Sequence, residues 1–199
     1  MRWLGQCVLV LALAAGGHGV AAAEGNVPEA EDFISSLGQT AIETLTQPDL
    51  SADERESKFR ELLAANFDVP RIGNRVLAVY ARQATQDELT SFYDVFEDLL
   101  VDTYIGRFEA YSGEGFTVLR SFPDGNDGAV VLSQIIGTNG EQIRVDWQLR
   151  RRGGDLVVVD VAVEAISIAA TLREEYGSIL RQNGGSVTAL VEALRARLG

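Results

Sequence analysis

Carboxylates are the most abundant reactive side chains of this 199-residue sequence, which has 29 acidic residues against 17 basic ones. Its single histidine and single cysteine, His18 and Cys7, lie in an N-terminal segment that we expect to be removed. Without imidazole and thiol groups, Ser-His-Asp hydrolysis, thiol catalysis and the common zinc and haem sites lack their residues. Acid–base catalysis and the binding of hard metal ions remain.

One row of acidic residues has a spacing that a metal site could use, at positions i, i+3, i+4 and i+8 of a long predicted helix. The residues are Asp94, Glu97, Asp98 and Asp102. Carboxylates are the preferred ligands of Ca²⁺ and Mg²⁺. Side chains from one straight helix rarely converge on one ion, so the row is more typical of a solvated face. We therefore predict no metal site and no cofactor.

Two acidic pairs, Glu141 with Asp146 and Asp160 with Glu164, could be interpreted as glycosidase pairs, although an acidic chain contains many such pairs by chance. Asp146 or Asp160 with Tyr104 could also imitate the site of an isomerase or dehydratase that works in an apolar cavity. The strand pattern places both aspartates opposite the apolar face. We therefore predict no catalytic residues and a protein that is not an enzyme, with a small acid–base enzyme that uses the same cavity as an alternative function.

The first residues have the three parts of a secretory leader. Arg2 precedes an apolar stretch from Trp3 to Ala15, and small residues follow at 21–23. Glycines interrupt this stretch well short of the ~20 residues that a membrane span needs. We predict a signal peptide over 1–23 and one domain over 24–199. Loss of Arg2 makes the net charge of −12 more negative, which disfavours nucleic acid and anionic membrane surfaces as partners.

Helical periodicity covers the first half of the chain and carries clear start signals. The predicted starts are Pro28, the capping box Ser51–Glu54, Asp68 with Pro70, and the capping box Thr85–Glu88. The last of these opens the longest helix, which we predict to run to about Tyr111. Apolar residues recur along it in steps of three and four, and they form a wide aromatic stripe. This stripe must therefore pack against a large apolar surface.

From Phe116 onward the apolar period changes to two, with turn residues at hairpin intervals. The predicted strands are 116–122, 129–138, about 143–150 and 156–163, and Asn139-Gly140 predicts a type I′ turn. Val157, Val159, Val161 and Val163 are expected to share one face. Two helices end the chain. The sequence thus predicts an α+β fold of the NTF2-like or cystatin-like kind. In it, the N-terminal helices and the long aromatic helix pack on a curled four-stranded antiparallel sheet, closed by two C-terminal helices.

The apolar stripe of the long helix has two interpretations that spacing alone does not separate. Its residues could fill an ordinary core, or they could line a cavity that remains between the helices and the sheet. Trp147, on the apolar face of the third strand, has the same two interpretations.

An ordered set of motifs resembles the MlaC family of periplasmic phospholipid-binding proteins, also called toluene-tolerance auxiliary proteins. The set comprises 67–72, 76–85, the aromatic helix to Tyr104, Trp147, 159–167 and 176–180, within a similarity that spans Phe33 to Leu198. Ala81 and Ala165 stand where the family usually has tryptophan and glycine. These departures concern the local helix packing and the turn from sheet into helix.

The resemblance implies a soluble, monomeric carrier in the periplasm that holds phospholipid acyl chains in an apolar cavity. It further implies transfer between an outer-membrane lipoprotein–porin complex and an inner-membrane ABC transporter complex, which maintains outer-membrane lipid asymmetry. Exposing two acyl chains to water costs on the order of 20 kcal/mol, so a carrier that needs no reactive group is physically reasonable. A hopanoid-associated carrier is the alternative for the cargo.

If the resemblance holds, the lining should come from the third and fourth helices and from the sheet. The expected lipid-binding residues are Val76, Tyr80, Phe92, Phe96, Leu100, Tyr104, Val145, Trp147, Val161 and Ile166.

Overall fold

The computed structural model describes residues 25–199, so the predicted signal peptide lies outside the described residues. Six helices and five strands follow one another within this range. The helices are α1 Pro28–Leu45, α2 Ala52–Asn66, α3 Val69–Leu77, α4 Gln86–Glu109, α5 Ile168–Gln182 and α6 Val187–Leu198, with a 3₁₀ segment Ala78–Arg82 after α3. The strands are β1 Gly115–Asp124, β2 Gly128–Ile136, β3 Gln142–Arg152, β4 Asp155–Val163 and β5 Ile166–Ser167. No helix within 25–199 is both long enough and apolar enough to cross a membrane.

Both predicted capping boxes are present at the starts of their helices. The Glu54 amide donates to Ser51 Oγ at 3.3 Å, and the Ser51 amide donates to Glu54 Oε2 at 3.0 Å. The same reciprocal bonds join Thr85 and Glu88 at 3.2 and 2.9 Å. Each box satisfies two amide donors that the first helical turn leaves unpaired.

The strands form one antiparallel sheet in the order β1-β2-β3-β4-β5, which confirms the predicted α+β meander. It has five strands rather than four, because the short β5 pairs with the end of β4 through Val163 and Ile166. The turn between them contains Glu164 and Ala165 at φ 49° and 64°, so Ala165 adopts the left-handed backbone that glycine favours.

The turn between β2 and β3 differs from the predicted type I′ turn. The Gly140 amide donates to the Gly137 carbonyl at 2.8 Å, which places Thr138 and Asn139 at the centre of the turn. A type I′ turn needs positive φ at both central residues, and of this segment only Gly140 has it, at 83°. The connection is therefore a longer loop that ends in a left-handed glycine.

A bulge in β4 also changes the predicted faces of that strand. Gln148 pairs with Asp160 while Leu149 pairs with Val158, so one residue of β4 is extra. An extra residue reverses the side-chain alternation beyond it. As a result Val161 packs with Leu156 and Val158 on the face toward α1, and the prediction that it shares a face with Val157 and Val159 is wrong.

The buried residues form two separate clusters. The helical core brings together α3, α4, α5 and α6, and its centre is the stacked pair Phe92 and Phe96 with Tyr176 edge-on to both rings. The sheet core lies between α1 and β2–β4. The buried aromatic residues of α4 thus face α5 and α6, whereas α1 covers the apolar face of the sheet.

Candidate functional site

An apolar cavity of about 460 Å³ lies between α1, α2, the last turn of α4 and the strands β1–β3. The residues that line it are almost all hydrocarbon in character. They are Leu37, Gly38, Ala41, Ile42, Leu45, Phe59, Leu62, Leu63, Phe67, Arg107, Phe108, Ala110, Tyr111, Glu114, Gly115, Phe116, Ile135, Ile143 and Trp147. A concave apolar hollow with few polar groups is the usual form of a small-molecule site.

Small residues of α1 bring that helix close to the sheet at one wall of the cavity. An ideal Cβ built on Gly38 would lie 2.5 Å from two ring atoms of Phe116. Glycine in a helix interior costs about 1 kcal/mol relative to alanine, so a mid-helix glycine indicates a packing requirement. The Phe116 ring therefore occupies the space that a side chain at position 38 would take, and it packs edge-on against Trp147 at 6.3 Å between centroids.

The single polar atom of Trp147 is satisfied within the sheet rather than by the cavity. The indole Nε1 donates to Ser133 Oγ at 2.9 Å, and this hydroxyl donates to the Val145 carbonyl, also at 2.9 Å. Ser133 is fully buried. This chain of bonds fixes the indole and leaves its apolar faces available to a ligand.

Arg55 holds the helices at one end of the cavity together. Its Nε donates to the carbonyl of Leu45, the last residue of α1, at 2.8 Å, and its Nη1 pairs with Glu109 of α4 at 3.2 Å. Since Arg55 itself belongs to α2, one side chain connects three of the helices that form the wall.

Of the described residues that line the cavity, only Arg107 and Glu114 carry a charge. Both lie at the connection between α4 and β1. The Ser112 amide donates to one Glu114 carboxylate oxygen at 2.8 Å and the Ser112 hydroxyl to the other at 3.0 Å. These bonds hold the pKa of Glu114 below its usual value, so its carboxylate is ionised at neutral pH.

Of the ten residues expected to bind lipid, Trp147 lines the cavity. Val76, Phe92 and Phe96 are buried in the helical core, where Tyr80 and Leu100 pack at its margin. The remaining four are Val145, buried in the sheet, Val161, packed on the sheet core, Ile166, which is 65% exposed, and Tyr104, which is half-buried on α4. Burial raises the pKa of the Tyr104 hydroxyl despite the nearby Arg107. Lipid contact by these residues stays a prediction.

The α1 and α2 residues of the cavity were not predicted as lining residues, although both helices were predicted. A signal for them exists in α1, where Gly38 and Ala41 place small residues beside Leu37, Ile42 and Leu45. Ile143 could have been found as well, since the period-two pattern of β3 places it on the same face as Trp147.

Several of the carboxylates considered for metal binding or catalysis have structural partners instead. Arg60 of α2 pairs with Asp98 at 2.8 Å and with Glu97 at 3.6 Å, and so joins α2 to α4. Among residues 25–199, no group of three or more potential ligands is placed to hold a metal ion. Asp146 pairs with Arg144 at 2.6 Å.

Asp160 organises the corner where the sheet passes into α5. It accepts hydrogen bonds from the Ser167 hydroxyl at 2.6 Å and the Ala169 amide at 3.2 Å, and it pairs with Arg75 of α3 at 3.2 Å. Neither Asp146 nor Asp160 lines the cavity.

Comparisons with known proteins agree on one family. The family model described as MlaC protein matches residues 35–196. Toluene tolerance protein ttg2D of Pseudomonas putida is 25% identical over 135 residues, which cover 67% of this chain and 63% of that relative. The alignment thus spans slightly less than two thirds of the relative's length.

A solved structure has the same fold. It is a phospholipid-binding protein from Ralstonia solanacearum in complex with a phospholipid, and it superposes with a TM-score of 0.76 at 20% identity. The match covers 85% of this chain and 96% of that one.

Proposed function

This chain belongs to the MlaC family, and on that premise we propose that it is a periplasmic carrier that holds phospholipid by its acyl chains. The apolar cavity is the observation that carries the proposal. At ~30 Å³ for each small group, the volume of one water in the liquid, its 460 Å³ holds about fifteen methylene-sized groups. This is about one acyl chain, and burying it is worth roughly 12 kcal/mol before the costs of binding.

The second chain of a diacyl phospholipid needs further room. An adjoining hollow of about 400 Å³ shares Ile42 and Phe116 with the cavity and continues along the exposed side of α1. Its other residues include Ser35, Gln39 and Glu43, which are exposed, so it is more polar than the cavity. We place one chain in the cavity and the second along this hollow.

The proposed role in transport extends to two partners, as the family resemblance implies. The carrier receives or delivers lipid at an outer-membrane lipoprotein–porin complex and at an inner-membrane ABC transporter complex, and thereby maintains outer-membrane lipid asymmetry. Its acidic surface favours docking to proteins over bare anionic lipid. Because neither Asp146 nor Asp160 reaches the cavity, we do not propose an enzymatic function.

Mass spectrometry of the native protein tests lipid binding. We expect about one glycerophospholipid for each chain after purification from a periplasmic extract. The protein mass should be that of residues 24–199, as expected after cleavage behind residue 23. A co-purified hopanoid would change the proposed cargo, and an empty protein would refute the carrier function.

A matched pair of variants tests the cavity as the binding site. Ile42→Asp places a carboxylate in the apolar wall and should abolish lipid retention, because burying an ionised group without a partner is costly. Val79→Asp makes the same kind of change at a 61% exposed residue outside the cavity and should retain lipid. Circular dichroism checks that both variants fold. Equal lipid retention would refute the assignment.

Transfer between vesicles tests the carrier step. Fluorescent phospholipid should move from donor to acceptor vesicles faster with the wild-type protein and with Val79→Asp than with Ile42→Asp. Transfer that does not depend on position 42 would contradict shuttling through this cavity.

A further inference from the structure

The end of the cavity near the connection between α4 and β1 carries one positive and one negative side chain, while the described lining elsewhere is uncharged. Arg107 lies in the last turn of α4, and Glu114 immediately precedes β1. Arg107 is exposed to solvent, so this end communicates with water. A lipid whose chain fills the apolar part would place its polar head group at this end.

Arg107 has no ion pair or side-chain hydrogen bond with any other residue of the described range 25–199. Arg55, Arg60, Arg75 and Arg150, in contrast, all pair with carboxylates. An arginine fork matches the geometry of a phosphate group, to which it can donate two parallel hydrogen bonds. The guanidinium of Arg107 is therefore available to a phosphodiester at the cavity entrance.

Glu114 is a preorganised anion at the same entrance. Its two carboxylate oxygens accept from the amide and hydroxyl of Ser112, and the Tyr111 hydroxyl donates to its backbone carbonyl at 3.0 Å. Tyr111 also lines the cavity, so the loop that carries Glu114 is attached to the wall. Since each carboxylate oxygen can accept more than one hydrogen bond, an ammonium group can still bind.

We propose, on the basis of the proposed lipid-carrier function, that this entrance selects zwitterionic phospholipids over anionic ones. Arg107 pairs with the phosphate, and Glu114 pairs with the ammonium group of the same head group. An anionic head group with a glycerol in place of the amine offers Glu114 no cationic partner, and its phosphate charge stays uncompensated within the head group. The net charge of −12 adds to this discrimination.

Competitive loading tests the selection. The full chain is incubated with vesicles of equal parts phosphatidylethanolamine and phosphatidylglycerol, re-isolated, and analysed for total lipid and for the ratio of the two. We expect the wild-type protein to favour phosphatidylethanolamine by about twofold to fivefold, as expected of a partly exposed ion pair. Phosphatidylcholine in a parallel loading tests whether the amine must donate hydrogen bonds.

Variants assign the effect to the two side chains. Glu114→Gln should bring the ratio close to one, and Glu114→Arg should favour phosphatidylglycerol. Arg107→Gln should lower the retention of both lipids, whereas Arg195→Gln on α6, which contributes no residue to the described cavity lining, should behave as wild type.

The outcomes separate this inference from the function on which it depends. Lipid retention with equal amounts of the two head groups in the wild type, or with a ratio that Glu114→Gln leaves unchanged, overturns the selection alone. Absence of lipid from every variant and from the wild type overturns the carrier function as well.

Discussion

Filling the cavity should stabilise the protein and prevent lipid binding at the same time. Ala41 lines the cavity from α1, and its side chain is half-buried. In Ala41→Phe, the added ring would occupy a substantial part of the 460 Å³. If ~80 Å² of additional apolar surface leaves water, burial contributes about 2 kcal/mol. Ordering of the ring and the lower helix propensity of phenylalanine cost roughly 1 kcal/mol.

The expected net gain in the free energy of unfolding is about 1 kcal/mol, or ~2–4 °C in Tm for a protein of this size. The lipid loses the room of about four methylenes, each worth ~0.8 kcal/mol, so its affinity should fall by up to ~200-fold. Differential scanning calorimetry of delipidated protein measures the first effect, and native mass spectrometry measures the second.

Ala64→Phe is the matched control, because Ala64 is exposed on α2 and does not line the cavity. It should lower Tm slightly and retain lipid. Equal lipid binding by Ala41→Phe and the control would show that the cavity is not the binding site. A lower Tm in Ala41→Phe than in the control would show that the ring does not fit.

Three further substitutions test packing, backbone and ionisation. Gly38→Ala should lower the free energy of unfolding by about 1–3 kcal/mol in urea denaturation, because the new Cβ meets the Phe116 ring. This cost outweighs the better helix propensity of alanine. A more stable variant would show that the ring moves freely. Ala165→Gly should raise Tm, since it relieves about 1 kcal/mol of left-handed backbone strain at φ 64°, and an unchanged or lower Tm would contradict that account. Burial raises the pKa of Tyr176 to about 12, so the unfolded chain, with a tyrosine pKa near 10, loses this proton first as the pH rises. The contribution of Tyr176 to the free energy of unfolding should therefore be constant below pH ~10 and fall by about 2–3 kcal/mol by pH ~12. Tyr176→Phe should remove this loss. The same pH profile in both proteins would contradict the assignment to Tyr176.

Local signals predicted the helix starts because the interactions behind them are local. The bonds of Ser51 with Glu54 and of Thr85 with Glu88 span three residues, so the sequence contains both partners within one turn. The strand alternation of β3 was equally legible. The bulge in β4 was not, because one extra residue changes the face of Val161 without changing the apolar composition of the strand.

The cavity was harder to predict because it depends on which apolar surfaces fail to meet. The periodicity of α4 shows that Phe92 and Phe96 are buried, but any apolar partner satisfies that pattern, and α5 and α6 compete with the sheet for it. Trp147 was predicted as a lining residue through the family resemblance, because its place on an apolar strand face fits a filled core equally well. The need for glycine at position 38 comes from the Phe116 ring, and Phe116 is far away in the sequence.

One half of the molecule contains the helical core, and the other half contains the cavity. The helical core, centred on Phe92, Phe96 and Tyr176, is tightly filled and contributes rigidity. The hollow half, walled by α1 and α2, leaves part of its apolar surface without protein contacts. Substitutions there that leave the contact between Gly38 and Phe116 intact can alter the size and shape of the accepted cargo at little cost in folding, so a lineage could acquire new lipid preferences without first gaining extra stability.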